Sequence, residues 1–344
     1  MMIRLKHAEP VMGTVVSFDV DSAFGAAVGA AVRWLHWVDA TFSTFRADSE
    51  VSRLGRGEIA LGQCSARVRE VIAACAELTA VTGGYFSATA GAVLDPSGYV
   101  KGWAVERAAA ILTEAGSLSH CVNGGGDVRC VGSSPRGGNW RIGIADPVRH
   151  GALALTAEGR DFAVATSGIA ERGEHVLDPH TRTPPQGLLS ITVTGPELAL
   201  ADAYATAVFA MGFPRAMGFP QAVGFPEAGG WSAAGYEAFG ITDDGRTWQT
   251  PGFPAARSPL SKRDWRAAAN PPRATSYPVK TLRINRQNGV QRGENASKPE
   301  GYGSGGRGQC HRGGGPGRGR ARVRQGQRDA QRSERGPRRA CLPP

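Results

Sequence analysis

Asp202 and Thr206 stand four residues apart in Ala201-Asp202-Ala203-Tyr204-Ala205-Thr206-Ala207. On a helix that spacing puts a carboxylate and a hydroxyl on one face. Two oxygen donors so placed suit Mg²⁺, which keeps several waters and takes phosphate oxygens from a substrate. The plainer reading makes Asp202 a helix N-cap and Thr206 a hydroxyl back-bonded within its own helix. A second group is Asp95-Pro96-Ser97-Gly98-Tyr99-Val100-Lys101-Gly102-Trp103-Ala104, a glycine-bearing turn running into a helix. Unpaired N–H groups at such a helix start can hold a phosphate, and Lys101 adds positive charge. It also reads as an ordinary capping loop, with Asp95 or Ser97 as the cap.

Two further groups carry polar chemistry. Asn123-Gly124-Gly125-Gly126-Asp127 lies between two strand-like pieces. Its glycines let backbone pass close to a flat or charged ligand, while Asp127 can accept bonds from a ribose or from loop amides. No Gly-Lys-Ser/Thr follows, so this is not a phosphate loop of the Walker kind, and a structural turn is the alternative. Thr166-Ser167-Gly168 is followed by His175-Val176-Leu177-Asp178-Pro179-His180-Thr181. An imidazole and a carboxylate three apart, ending in a proline turn, can face one cleft, and His175 near its ordinary pKa could take a proton from a hydroxyl. A structural histidine is the competing interpretation.

The elements that must position these groups follow from periodicity. Thr14 to Val20 alternates as a strand, and Ala26 to Ala40 repeats apolar residues at helical spacing. Val68 to Val81, Ala104 to Ala115 and Leu198 to Met211 read as further helices. Short strands are expected at Cys121 to Val122, Val128 to Val131, Trp140 to Ile144, Ala163 to Thr166 and Leu189 to Val193. Glu237 to Thr242 and Arg246 to Gln249, joined by Asp243-Asp244-Gly245, form a hairpin that closes the globular part near Phe253. Short strands with segregated helices indicate an α+β fold rather than a doubly wound parallel sheet.

Charge divides the chain. The whole carries +10, but residues 257–344 hold 21 Lys and Arg against 5 acids, which leaves residues 1–256 at about −6. The expected organisation is therefore a domain over 1–256 and a basic Gly/Arg/Pro-rich tail over 257–344 that lacks the apolar surface to fold alone. Such a tail resembles RNA-binding Arg-Gly segments, but no aromatic residue for base stacking follows Tyr302, which argues against a nucleic-acid partner. The repeat Gly212-Phe213-Pro214, Gly218-Phe219-Pro220, Gly224-Phe225-Pro226 is too short for a solenoid and reads as an expanded loop. The six cysteines make no C-x-x-C pair, so neither a zinc site nor a disulfide framework is indicated. No apolar run of signal length follows Met1 to Pro10 and none of spanning length occurs, so a reducing, cytoplasmic setting is the expectation.

Taken in order, these groups resemble the FAD:protein FMN transferase family, often called ApbE. The resemblance starts at Met12-Gly13-Thr14 and runs through Phe42-Ser43-Thr44-Phe45 and Ser49-Glu50-Val51-Ser52-Arg53-Leu54 to the Asp202 segment and on to Phe253, about 240 residues in all. It implies an α+β, two-lobed body with mixed or antiparallel sheets and flanking helices, FAD between the lobes and Mg²⁺ on its pyrophosphate. Asp202, Thr206 and the backbone carbonyl of Gly98 would hold the metal. Met12, Asp95, Lys101, Asn123, Gly125, Asp127, Ser167 and Thr181 would line the flavin nucleotide site. His175, in the family's H-x-x-D-P-x-T pattern, would help deprotonate the acceptor hydroxyl, with Asp178 supporting the turn. The implied activity moves FMN from FAD to a Thr or Ser of a target flavoprotein and releases AMP; a Mg²⁺-dependent FAD pyrophosphatase and a non-catalytic flavin-binding protein are the alternatives. Two departures stand out. Phe86-Ser87-Ala88-Thr89 replaces the common Phe-Asp-x-Thr, removing one carboxylate, and the export signal of many relatives is not seen.

Overall fold

β1 (Arg4–Val11) and β2 (Thr14–Asp21) pair antiparallel through a two-residue turn whose residues, Met12 and Gly13, both have positive φ, 53° and 69°. That is the turn whose twist matches right-handed strands. The computed structural model describes residues 3–91, 93–169, 176–213, 215–217 and 234–256. The chain divides into two units, Met1–Val279 and Lys280–Pro344, and every described residue belongs to the first.

After β2 come helices α1 (Gly25–Phe42), α2 (Glu50–Gly55), α3 (Ala66–Val81) and α4 (Ser97–Glu114). Strands β3 (His120–Gly124), β4 (Asp127–Val131), β5 (Trp140–Ala145), β6 (Leu153–Gly159), β7 (Ala163–Gly168) and β8 (Leu188–Gly195) follow. Helix α5 (Leu198–Met211), β9 (Glu237–Thr242) and β10 (Thr247–Gln249) end the described part. Eight strands form one antiparallel sheet in the order β1-β2-β3-β4-β7-β8-β9-β10, and β5 pairs with β6 as a separate two-stranded sheet. The α+β expectation holds, with antiparallel rather than parallel pairing throughout.

Two apolar clusters result. The larger joins Val16, Phe18 and Val20 of β2, Val122 of β3 and Ile191 and Val193 of β8 to the inner faces of α1, α3, α4 and α5. The smaller joins Val128, Cys130 and Val164 to Trp140, Ile144 and Ala157 of the β5–β6 hairpin. Helix α5 packs against α4, β7 and β8, and apart from Leu200, Thr206 and Met211 all its residues are buried. A helix apolar almost all round belongs in a core; any polar group it carries is desolvated. Its first turn is held from outside, because Glu106 Oε2 of α4 accepts the Leu198 N–H at 2.5 Å while Arg129 of β4 donates to Glu106 Oε1 at 2.8 Å. A carboxylate there satisfies an orphan donor and complements the helix dipole.

Helix α4 starts at Ser97, seven residues before the expected Ala104. The segment read as a glycine-bearing turn is thus the first two turns of the helix, and Pro96 occupies the N-cap position, with Asp95 Oδ1 accepting the Ser97 N–H at 2.9 Å. Gly98 and Gly102 argue against a helix on propensity, by about 1 kcal/mol each. Packing against α5 overrides that preference. Strands β1 and β6 and the short α2 are additions to the expected elements. The Gly-Phe-Pro repeat beyond Phe213 and the basic tail lie outside the described residues.

His120 on β3 is fully buried, with Nδ1 3.0 Å from Ser117 Oγ. Burial pushes its pKa down to about 4 from 6.5. The unfolded chain binds the proton first on acidification, so this group's contribution to stability is present above pH 6.5 and is lost as pH falls through about 4, on the order of 3 kcal/mol. Urea unfolding between pH 7.5 and 4.5 is expected to show a shallower loss of stability in His120→Asn than in the wild type. Parallel slopes would remove His120 as the acid-sensitive group.

Candidate functional site

The β1–β2 and β3–β4 turns lie side by side at one end of the sheet. Gly125 donates its N–H to the Val15 carbonyl at 3.3 Å, and a Cβ on it would stand 2.5 Å from Thr14 Oγ1. With φ at 61° as well, the position requires glycine. Asn123 Oδ1 accepts the Gly126 N–H at 2.9 Å and so braces this turn. Met12, at the neighbouring tip, packs against the larger core.

Next to this loop is a buried polar cluster. Asp127 accepts the Thr166 N–H on Oδ1 at 3.3 Å and holds Lys101 Nζ 2.6 Å from Oδ2. Lys101 Nζ is also 3.9 Å from Asp202 Oδ1, and Asp202 Oδ2 accepts the Gly102 N–H at 2.9 Å. Asp127 and Asp202 are 1% and 2% exposed. Two buried carboxylates therefore share one ammonium. Burial first, and the charge of Asp127 second, hold the Asp202 carboxyl well above the usual carboxylate range against the pull of Lys101 and the Gly102 N–H. Asp202 lies in the second turn of α5, away from its N-cap at Glu197, which removes the capping interpretation.

One turn further along α5, Thr206 Oγ1 lies 3.4 Å from Ser167 Oγ of β7. Gly98 faces it so closely that a Cβ there would stand 3.2 Å from Thr206 Oγ1. Opposite Asp202, a Cβ on Gly102 would stand 2.6 Å from the Leu198 carbonyl oxygen and 2.8 Å from Asp202 Cβ. The antiparallel helices thus meet in register, Gly98 on Thr206 and Gly102 on Asp202. In a regular helix the Gly102 N–H points at the Gly98 carbonyl, so the Asp202 carboxylate that accepts it sits beside that carbonyl. Gly98, Asp202 and Thr206 are brought together as expected. Gly102 was not singled out from the sequence, although its four-residue spacing from Gly98 is a pattern that lets helices approach closely.

These donors suit a cation of the Mg²⁺ type. Among the described residues no three His, Cys, Asp or Glu side chains converge as a complete metal cage. One carboxylate, one hydroxyl and one carbonyl leave most of an octahedral shell to water and phosphate. A divalent ion would also supply the positive charge that the Asp127–Lys101–Asp202 cluster lacks.

The remaining expected residues lie further out. Asp95 is exposed at the start of α4. Asp178 is buried and shapes the turn at residues 178–183: its Oδ1 accepts the His180 N–H at 2.9 Å, its carbonyl accepts the Arg182 N–H at 2.7 Å, and Arg215 Nη1 lies 3.8 Å from Oδ2. His180 Nε2 is 3.1 Å from the Gly83 carbonyl, which docks this turn on the end of α3. Thr181 is exposed and pairs with Thr183 at 2.8 Å rather than with the buried cluster. Asp178 therefore supports the turn, while His175 lies outside the described residues. Ser87 Oγ accepts the Thr89 N–H at 3.2 Å. A short acceptor still makes this turn; the carboxylate's charge is what the replacement removes.

Fold and site together define a class: an antiparallel α+β protein with a buried, lysine-bridged acidic cluster where two helices in close glycine contact meet the sheet. The ApbE family model matches residues 12–95 and 88–224, and the chain belongs to that family. It is 36% identical over 130 residues to an FAD:protein FMN transferase of Rhodobacter capsulatus, covering 35% of this chain and 24% of that one. It is 33% identical over 132 residues to the one from Vibrio cholerae, covering 36% and 40%. The matches thus span less than half of the length of these curated relatives. In fold, the chain is similar to the flavin transferase ApbE from Vibrio cholerae, with a TM-score of 0.62 and 23% identity over 74% of this chain and 99% of that one. The ApbE protein from Thermotoga maritima gives 0.62 and 20% over 72% and 97%.

Proposed function

We propose that this chain is a Mg²⁺-dependent FAD:protein FMN transferase that places FMN on a Thr or Ser hydroxyl of a target flavoprotein and releases AMP. The observation that carries the reading is the convergence of Gly98, Asp202 and Thr206 beside the Asp127–Lys101 pair, next to the glycine loop at 123–127. The names of the similar curated proteins supply the reaction.

The chemistry follows from charge. A pyrophosphate repels an incoming nucleophile, and a cation held by Asp202, Thr206 and the Gly98 carbonyl would neutralise its oxygens as charge shifts toward the leaving AMP. The chain's own residues do the positioning. Lys101 is fixed by Asp127, the tight turns at Met12-Gly13 and Gly125-Gly126 leave backbone accessible to a nucleotide, and the α4–α5 seam holds the carboxylate and hydroxyl in register. An acceptor hydroxyl then attacks the FMN-side phosphorus, with His175 as the base that takes its proton. No covalent enzyme intermediate is required.

The test is to incubate the full chain with FAD, Mg²⁺ and a candidate acceptor and to weigh the acceptor. A mass gain equal to one FMN residue supports transfer. Free FMN and AMP with an unchanged acceptor would reassign the chain as a pyrophosphatase, and intact FAD would reassign it as a flavin-binding protein. In the same assay His175→Ala is expected to bind FAD normally and to transfer at least about 100-fold more slowly. Loss of FAD binding in that variant would rule out a role as base.

A further inference from the structure

The hairpin that carries the nucleotide loop also carries two cysteines, and neither takes part in the site described above. Cys121 of β3 and Cys130 of β4 are register partners, both are free thiols, and their sulfurs are 3.6 Å apart. The Cys130 N–H donates to the Phe162 carbonyl at 2.9 Å, on the side of β4 away from β3. Cys121 and Cys130 are therefore a non-hydrogen-bonded pair, the kind in which opposing Cα atoms stand about 4.5 Å apart and side chains come closest. That separation lies within the range a disulfide spans.

We propose that Cys121 and Cys130 are a redox-active dithiol that closes to a disulfide in the presence of a peroxide. The proposal is independent of the flavin reading, since it concerns only the hairpin. Cys130 is fully buried and Cys121 partly exposed, so the oxidant meets Cys121. Burial also pushes the Cys130 thiol well up, which leaves it a poor first nucleophile. In the first step the Cys121 sulfur attacks the peroxide O–O bond, giving Cys121 sulfenic acid and one water when the oxidant is hydrogen peroxide. In the second the Cys130 sulfur displaces the hydroxyl of that sulfenic acid, forming the S–S bond and releasing a second water. Two electrons and two hydrogens leave the thiols, and the peroxide is reduced. A dithiol reductant reverses the bond by exchange. The closed bond ties together the two strands that hold Asn123 and Asp127, two and three residues from the respective cysteines.

Arg129 lies between the two cysteines, so trypsin separates them into residues 108–129 and 130–136. The full chain is treated with hydrogen peroxide under native conditions, quenched, unfolded in guanidinium chloride with N-ethylmaleimide to cap every remaining thiol, and digested without reductant. The expected main product is the two peptides joined, two hydrogens lighter than their sum, and separated by dithiothreitol. Recovery of both peptides individually capped would overturn the proposal. So would Cys121 found as sulfinic acid beside a capped Cys130, or either cysteine bridged chiefly to Cys64, Cys75, Cys310 or Cys341.

Discussion

Asp202→Asn is expected to lower FMN transfer by about 10²–10³-fold while leaving the fold intact, the scale of loss when one group that stabilises developing charge is removed from a reacting centre. The amide oxygen still accepts the Gly102 N–H, which Asp202 now takes at 2.9 Å, so the α4–α5 contact keeps its bond. What disappears is the charge. Asp127 and Lys101 then neutralise one another at 2.6 Å, and nothing remains to attract a divalent ion to Thr206 and the Gly98 carbonyl. The stability of the metal-free variant is expected to match or exceed that of the wild type, because burial beside Asp127 holds the Asp202 carboxyl well above its ordinary range, a cost to folding at neutral pH that an amide does not carry. Transfer rates over a range of Mg²⁺ concentrations, together with a melting curve, decide the matter. An active, well-folded variant in micromolar Mg²⁺ would remove the cation from the proposed site.

The elements were readable where periodicity was clean. Leu198 to Met211 shows its helix and the Asp202–Thr206 spacing within one segment, because both residues belong to the same few turns. The β9–β10 hairpin is equally local, set by Asp243-Asp244-Gly245. β1 is different. Its alternation is masked by His7, Glu9 and Pro10, and a proline is tolerated there only because β1 is the sheet's edge. The start of α4 was hidden by its glycines, whose meaning lies in α5, 100 residues away. The same holds for the electrostatics. Nothing local pairs Lys101 with Asp127 or sets Asp127 beside Asp202; those contacts exist because β3, β4 and β7 are neighbours and two helices cross above them. Residue types and intra-helix spacing therefore pointed to the donors proposed for the cation, while the counter-charge and the packing that fixes them are tertiary.

Gly102→Ala carries the second large effect, because it tests that packing directly. In an exposed helix this change is favourable by about 1 kcal/mol. Here the added Cβ would lie 2.6 Å from the Leu198 carbonyl oxygen, 2.8 Å from Asp202 Cβ and 3.1 Å from Ala199 Cα. Two of those atoms are backbone, so no rotamer change relieves the contact and α5 must move off α4. An overpacking cost of about 2–3 kcal/mol is expected to outweigh the propensity gain. The same displacement carries Asp202 and Thr206 away from Gly98, and a shift of even about 1 Å is expected to reduce transfer roughly 100-fold. Gly29 in α1 provides the contrast: a Cβ there meets only Arg33 Nη1 at 3.7 Å. Gly29→Ala is accordingly expected to stabilise by up to about 1 kcal/mol and to leave transfer unchanged. Denaturant midpoints and transfer rates for the two variants separate a generic glycine effect from a specific one. If Gly102→Ala matched Gly29→Ala in both measurements, the close helix contact would not be what positions the carboxylate.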